Sequence, residues 1–363
     1  MLSKRPSEKP FTIFQTACQF HSKTEPQLWS KDEVIILTHS MGGLVGRAYA
    51  KEQNGQHLAG IYHNVMPATG APAFYKRLKA GFGGEGGFKG DVVSLVFGYS
   101  AKRVTPVLLN SAGAMELMPW MDYQVLSDKT NHWLKIVEES NPEKIKFQLN
   151  TEDLMRNPQA WYSLLPDLYD HRGELLYQQT KLNDKKNRWE KADSRINPGG
   201  LVSPIAEFQN MTDAERFSRL MITVKDFQIK HMGFYQSGKT NIAYGDDGQH
   251  KAWGSISWMC SGSLDDVSED ELRQARLLQS NNMYKGKITL ELPDKRRLSF
   301  KLSKAQDRGD GTVPTDSGCA PQGKTDGRIF IESGYEHQDS YADGSPSRVS
   351  ALFSILEFAS RKE

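Results

Sequence analysis

The sequence predicts an α/β fold, a mostly parallel sheet with helices laid across it, and three observations predict it. Residues 33–50 join an apolar run, Val34 to Leu37, to an abrupt small-residue turn, then to a helical pattern with Leu44, Val45 and Ala48 on one side. Four consecutive apolar residues bounded by turn signals suit a fully buried parallel strand. Residues 59–66 (Ala59-Gly-Ile-Tyr-His-Asn-Val-Met66) form a second such run and end in a loop, Pro67-Ala-Thr-Gly-Ala-Pro72. Near the end of the chain, Arg328-Ile-Phe-Ile-Glu332 reads as a short strand that precedes a helix over 347–361.

Composition narrows the class. The chain has 363 residues, 38% hydrophobic and 25% charged, as in an ordinary globular protein of one large or two small domains. A net charge of +2 offers nucleic acid no electrostatic footprint. No run of 18 apolar residues spans a membrane, and Met1 to Pro10 lacks the apolar core of a secretory signal, so cytoplasmic synthesis is expected. Three cysteines (Cys18, Cys260, Cys319) without metal-ligand spacing read as buried free thiols. No metal or organic cofactor is expected.

Taken in order, Phe11 to Phe20 reads as a short helix or strand and Thr24 to Lys31 as a loop. Residues 41–53 form the helix after the first turn. The glycine-rich stretch 81–90 lacks the Gly-Lys-Ser/Thr of a phosphate loop and reads as a mobile loop. Residues 104–118 carry helical apolar spacing. A long polar insert over 121–215 follows, read as a helical cap or lid, with an apolar patch at 161–169 and a solvated helix from Glu174 to Trp189. Strands are expected at 220–229, 240–244 and 254–258, and a helix within 264–280 through Leu272, Ala275 and Leu278. Residues 288–302 alternate with period two about a Pro-Asp-Lys-Arg turn, a β-hairpin appended to the main sheet. The last helix is expected to bury Val349, Leu352, Phe353, Leu356 and Ala359. The resulting division is 1–120 and 216–363 as the two parts of one core, with 121–215 inserted.

The chemistry concentrates at Thr38-His39-Ser40-Met41-Gly42, one residue away from the nucleophile-elbow pattern G-x-S-x-G, with Thr38 in place of the first glycine. A serine hydroxyl needs a base to take its proton, and a sharp strand-to-helix turn lifts its Oγ clear of the sheet. The Met41 amide, at a helix N-terminus, can face a developing oxyanion. Glycines 42 and 43 leave room where strand and helix nearly touch. Such folds, the α/β-hydrolases, place the acid and then the histidine on loops after late strands. Of nine histidines, only His337 follows a late strand and precedes the last helix. Asp310, between Gly309 and Gly311 in the loop before that strand, is the expected carboxylate, with Asp307 in reserve; Asp339, two residues from His337, has poor geometry for the role. His39, Pro67 and Thr69 are expected to line the substrate pocket at the carboxyl ends of the strands. An α/β-hydrolase normally places several strands ahead of its nucleophile, and 32 residues precede this one, so a shortened chain is expected.

These residues carry a resemblance. Thr38-His-Ser-Met-Gly-Gly-Leu-Val with Arg47 resembles the nucleophile turn of the lipase group that includes lecithin–cholesterol acyltransferase and PGAP1-like esterases, and Gly309-Asp-Gly-Thr-Val-Pro314 resembles its acid loop. Gly334-Tyr-Glu-His-Gln-Asp-Ser-Tyr341, Gly245 and Ala252-Trp-Gly-Ser-Ile-Ser-Trp258 are similar to bacterial type VI secretion phospholipase effectors. The resemblance implies Ser40, His337 and Asp310 as nucleophile, base and acid, and a phospholipid acyl ester as substrate, met at a membrane surface. It further implies an antibacterial toxin delivered into a competitor's periplasm and neutralised at home by an immunity protein. A non-catalytic hydrolase-like chain that binds a lipid or a protein is the alternative.

Overall fold

A computed structural model describes residues 33–83, 100–164, 181–183, 188–190, 211, 213–278 and 281–361. The expectations for 1–32 and for most of the glycine-rich stretch fall outside the described residues, as do those for 165–169 of the apolar patch.

In chain order the elements are β1 (Val34–His39), α1 (Gly42–Glu52), β2 (Leu58–Asn64), α2 (Ala73–Ala80), α3 (Ala101–Leu108), α4 (Ala112–Met115), β3 (Leu134–Glu138), β4 (Ile145–Leu149) and α5 (Thr151–Arg156). There follow β5 (Lys181–Asn183), β6 (Arg188–Glu190), α6 (Asp213–His231), β7 (Thr240–Gly245), β8 (Asp247–Ala252), β9 (Ile256–Cys260), α7 (Glu269–Arg273) and β10 (Arg276–Leu278). The chain closes with β11 (Lys287–Glu291), β12 (Arg297–Leu302), β13 (Asp307–Gly309), α8 (Thr315–Gly318), β14 (Ile329–Glu332) and α9 (Pro346–Ser360).

Two sheets organise the molecule. The first is four-stranded and wholly parallel, in the order β1-β2-β7-β14. Leu37 lies opposite Tyr62, His63 opposite Ile242, and Phe330 opposite Ala243. Helix α1 covers one face, where a Cβ on Gly46 would meet Ile61 and Thr38. Helix α9 covers the other, with the Phe358 ring against Gly60. Among the described residues β1 pairs only with β2, and Leu37 is 44% exposed at that edge.

The second sheet is six-stranded, in the order β10-β11-β12-β9-β3-β4. It builds the main core, where Trp133, Trp161, Trp258 and Phe300 pack with Tyr75 and Tyr162. Burying each such ring is worth roughly 1.5–3 kcal/mol. This sheet changes three expectations. The hairpin β11–β12 is central to it rather than an appendage of the parallel sheet, because Phe300 continues the ladder onto Cys260 of β9. The segment expected as a helical cap supplies β3 and β4, whose short polar-flanked runs hide the strand signal. The helix expected within 264–280 ends at Arg273, and Arg276–Leu278 joins the sheet edge.

Two more local expectations are corrected. Residues 220–229 are helix, not strand. Their β-branched content suggests a strand, but Leu220, Met221, Val224 and Gln228 are buried at helical spacing while Ile222 and Ile229 face out. Within Glu174–Trp189, the described residues pair as the antiparallel strands β5 and β6.

Helix α9 forms as expected but is turned over. Val349, Leu352 and Leu356 are 72%, 56% and 61% exposed, and Phe353 also faces out. The inward face carries Ser347, Ser350, Ala351, Ser354 and Phe358. Its serines meet polar groups of the sheet: Ser350 Oγ donates to Glu332 Oε1 at 2.6 Å, Ser347 Oγ to Glu332 Oε2, and Asn241 Nδ2 donates to Ser354 Oγ at 3.1 Å. Polar anchors, not apolar area, decide which face goes in.

Candidate active site

Ser40 stands at the carboxyl end of β1, where the chain turns sharply into α1. Its φ of 54° is a left-handed conformation that a non-glycine residue adopts at a cost. The Ser40 amide donates to the Asn64 carbonyl at 3.0 Å, tying the turn to the end of β2. The close approach of helix to strand falls on Gly43 and Gly46. A Cβ on Gly43 would lie 2.5 Å from Met66 Cγ, and one on Gly46 2.9 Å from Thr38 Cγ2, whereas Gly42 has ordinary space. The glycine lacking at position 38 is thus compensated at position 46. Thr38 Oγ1 in turn pairs with His63 Nδ1 at 3.0 Å. Arg47, buried in the same helix, donates to the Ala68 carbonyl and the Tyr235 hydroxyl, fixing α1 against the loop after β2.

The structure brings Ser40, His337 and Asp310 together. His337 Nε2 lies 2.8 Å from Ser40 Oγ, and His337 Nδ1 lies 2.8 Å from Asp310 Oδ2. With the carboxylate as acceptor, Nδ1 carries the ring proton and Nε2 offers its lone pair to the serine hydroxyl. Asp310 is 1% exposed. Its Oδ1 accepts the Thr312 and Val313 amides at 3.0 and 2.7 Å, so the carboxylate is held by the turn of its own loop. The His337 amide donates to the Asp310 carbonyl at 2.7 Å, locking acid and histidine loops backbone to backbone. Gly245, at the end of β7, leaves room for Asp310, whose Cβ would sit 2.7 Å from a Cβ there.

Asp307, the reserve acid, is committed elsewhere: its Oδ2 accepts the Gly254 and Ser255 amides. Other histidines have their own partners. Burial pushes His63 down to about 3, and His231 and His250 face Glu52 and Asp247. Met41 is the N-cap of α1, and its amide takes no acceptor among the described residues. It stands at the positive end of a helix, one residue from Ser40.

The three residues expected to line a pocket behave differently. Pro67 and Thr69 lie buried in the loop after β2, and the amide and hydroxyl of Thr69 both donate to Ser317 Oγ, so no hydrogen bond or ring contact joins either to the Ser40 group. His39 packs against His337. Its Nε2 lies 3.0 Å from the His337 carbonyl oxygen, and its ring lies 5.0 Å from the His337 ring and 6.2 Å from Tyr341. Burial lowers its pKa, keeping the ring neutral as a hydrogen-bond donor at neutral pH. Tyr341 completes this wall by donating its hydroxyl to the Thr38 carbonyl at 3.0 Å.

No protein-family model and no curated protein matches the chain in sequence. Among solved structures, it is similar to a chain of the crystal structure of the Tle4–Tli4 complex, with a TM-score of 0.66 and 23% identity over 97% of this chain. This chain spans 65% of that one. The likeness places the chain in the α/β-hydrolase fold.

Proposed function

We propose that the chain is a serine-dependent carboxylic ester hydrolase acting on lipid acyl esters, most simply a phospholipase. The observation that carries this reading is the hydrogen-bonded series Ser40–His337–Asp310 at a strained strand-to-helix turn. In the proposed mechanism His337 Nε2 takes the Ser40 proton as Oγ attacks the acyl carbonyl, while Asp310 holds the ring and stabilises the imidazolium. The Met41 amide donates to the oxyanion. His337 then protonates the departing alcohol, and water, deprotonated by the same imidazole, hydrolyses the acyl-enzyme.

The lipid substrate rests on two supports: the resemblance of the elbow, acid-loop and histidine-loop motifs to type VI secretion phospholipase effectors, and the shared fold with Tle4. The same supports extend to an antibacterial effector that acts in the target periplasm and has a cognate immunity protein. No helix among the described residues is long and apolar enough to cross a membrane.

The test is release of free fatty acid from mixed phospholipid vesicles by the full chain and by Ser40→Ala. Serine-dependent release is expected; equal release by both would show that Ser40 is not the nucleophile. One observation favours a second reading, a hydrolase-like chain that binds a lipid or protein without turnover. An α/β-hydrolase takes its second oxyanion amide from a loop after an earlier strand, and on that side of β1 no strand lies among the described residues. Vesicle binding by both chains with release from neither would support it.

A further inference from the structure

We propose that Asp247 is a positioning residue for the Ser40 site: one carboxylate ties the loop that carries Asp310 to the loop that carries His337. The proposal rests on the reading of Ser40, His337 and Asp310 as the reacting groups. Asp247 opens β8, which runs antiparallel to β13, and it lies in register with Gly309, the residue before Asp310. Its Oδ1 accepts the Gln249 amide at 2.7 Å. Its Oδ2 accepts two further donors at 2.8 Å, the His250 Nδ1–H and the Gly334 amide.

These two donors lead to opposite sides of the site. The His250 carbonyl accepts the Gly311 amide at 3.1 Å, one residue past Asp310. Gly334, with φ of 85°, is the turn at which the chain leaves β14 for His337. With the bond between the His337 amide and the Asp310 carbonyl, the links close a ring from Asp247 through both loops and back. The carboxyl lies well below the usual carboxylate range, held there by the Gln249 and Gly334 amides and then His250, so it stays an acceptor at neutral pH. Without it, the Gly334 amide loses its anchor and the separation of acid and histidine is free to drift. A misplacement of about 1 Å at reacting groups can cost roughly 100-fold in rate.

The experiment follows covalent labelling of Ser40 in the full chain by a fluorophosphonate probe at several concentrations, giving a maximal rate and a half-saturating concentration. Asp247→Ala is expected to lower the maximal rate about 10- to 100-fold with half-saturation within about twofold. Asp247→Asn, whose amide oxygen still accepts from Gly334, is expected within about threefold of the parent. Glu138→Ala, which removes a buried carboxylate of the second sheet, is expected to lower the melting temperature comparably while labelling at the parent rate. If Asp247→Ala does not fold, His250→Ala, which cuts one arm of the clasp, is expected to show about a threefold to tenfold lower maximal rate. Labelling of Asp247→Ala at the parent rate, or rates that merely follow melting temperature across all variants, would overturn the clasp alone. A parent chain unlabelled at Ser40 would overturn the hydrolase reading and the clasp with it.

Discussion

The carboxyl ends of the parallel sheet and the outer side of helix α9 are opposites. At the strand ends, Asp310, His337, Asp247 and Glu332 are buried or nearly so, and each carboxylate meets two or more donors. On α9 the polar residues point inward and the leucines point out. Serines take the inner face because the sheet beneath offers Glu332, Tyr62 and Asn241, buried polar groups that would lose several kcal/mol in all if left unpaired. Buried polarity at one end of the sheet thus dictates the orientation of a helix packed across it.

The comparison breaks most visibly at Asp310. If its carboxylate holds the productive tautomer of His337, Asp310→Asn should lower ester hydrolysis on the order of 10⁴-fold with little change in fold. Fatty-acid release measured beside a thermal melt checks this. A loss below about tenfold would move the orienting role to another group.

Packing at the elbow and under α9 gives the next largest effects. Gly46→Ala should destabilise by about 1–3 kcal/mol, because its new Cβ meets Ile61 Cδ1 and Thr38 Cγ2 at 2.9 Å. Pairing it with Thr38→Ser, which removes Cγ2 and keeps the hydroxyl, should recover part of the loss in urea unfolding. Ser354→Leu should cost a similar amount on the inner face of α9, where it overfills a buried site and loses the bond from Asn241. Additive losses in the first pair would show that Thr38 and Gly46 do not share the contact.

Much of this corner is legible in the sequence, and the reasons are local. A buried strand running into Thr38-His-Ser-Met-Gly-Gly is a short-range pattern, and the order serine, acid, histidine along the chain narrows nine histidines to His337. What stays hidden is set by distant partners. Periodicity shows that α9 has an apolar stripe but not which way it faces, since Glu332 and Asn241 lie outside the helix. Strands β3 and β4 are short, and they join the sheet only through β9, more than 100 residues after β3, so their runs resemble the polar insert around them. Asp247 carries no local signal of its role, standing in the polar run Asp246-Asp247-Gly248; only the fold brings it to Gly334.

Burial with partners and burial without them can be set side by side. Donors hold Asp247 low, whereas desolvation alone raises Glu116, at the end of α4, to about 7. Because the folded pKa of Glu116 lies above the unfolded value, the native state binds more protons between about pH 4.5 and 7. Stability therefore falls as pH rises through that window. Glu116→Gln should stabilise the chain at pH 8 by about 1 kcal/mol, the figure being reduced for the partial exposure of the group, and by nothing measurable at pH 4. Unfolding at the two pH values decides it: an equal gain at both would mean that packing, not ionisation, carries the effect.

The smallest effect is expected where a reader of the sequence alone would expect a large one. Leu352→Ser with Leu356→Ser removes two leucines from the apolar stripe of α9, a change that costs about 2–5 kcal/mol per residue in a packed core. Both side chains are more than half exposed, so the pair should cost less than about 1 kcal/mol in urea unfolding. The apolar area they present also favours self-association, and the double variant should stay monodisperse to higher concentration in light scattering. A loss of core size at dilute concentration would mean that the stripe is covered in solution. It would also reverse the argument that serine anchors, rather than leucine area, orient this helix.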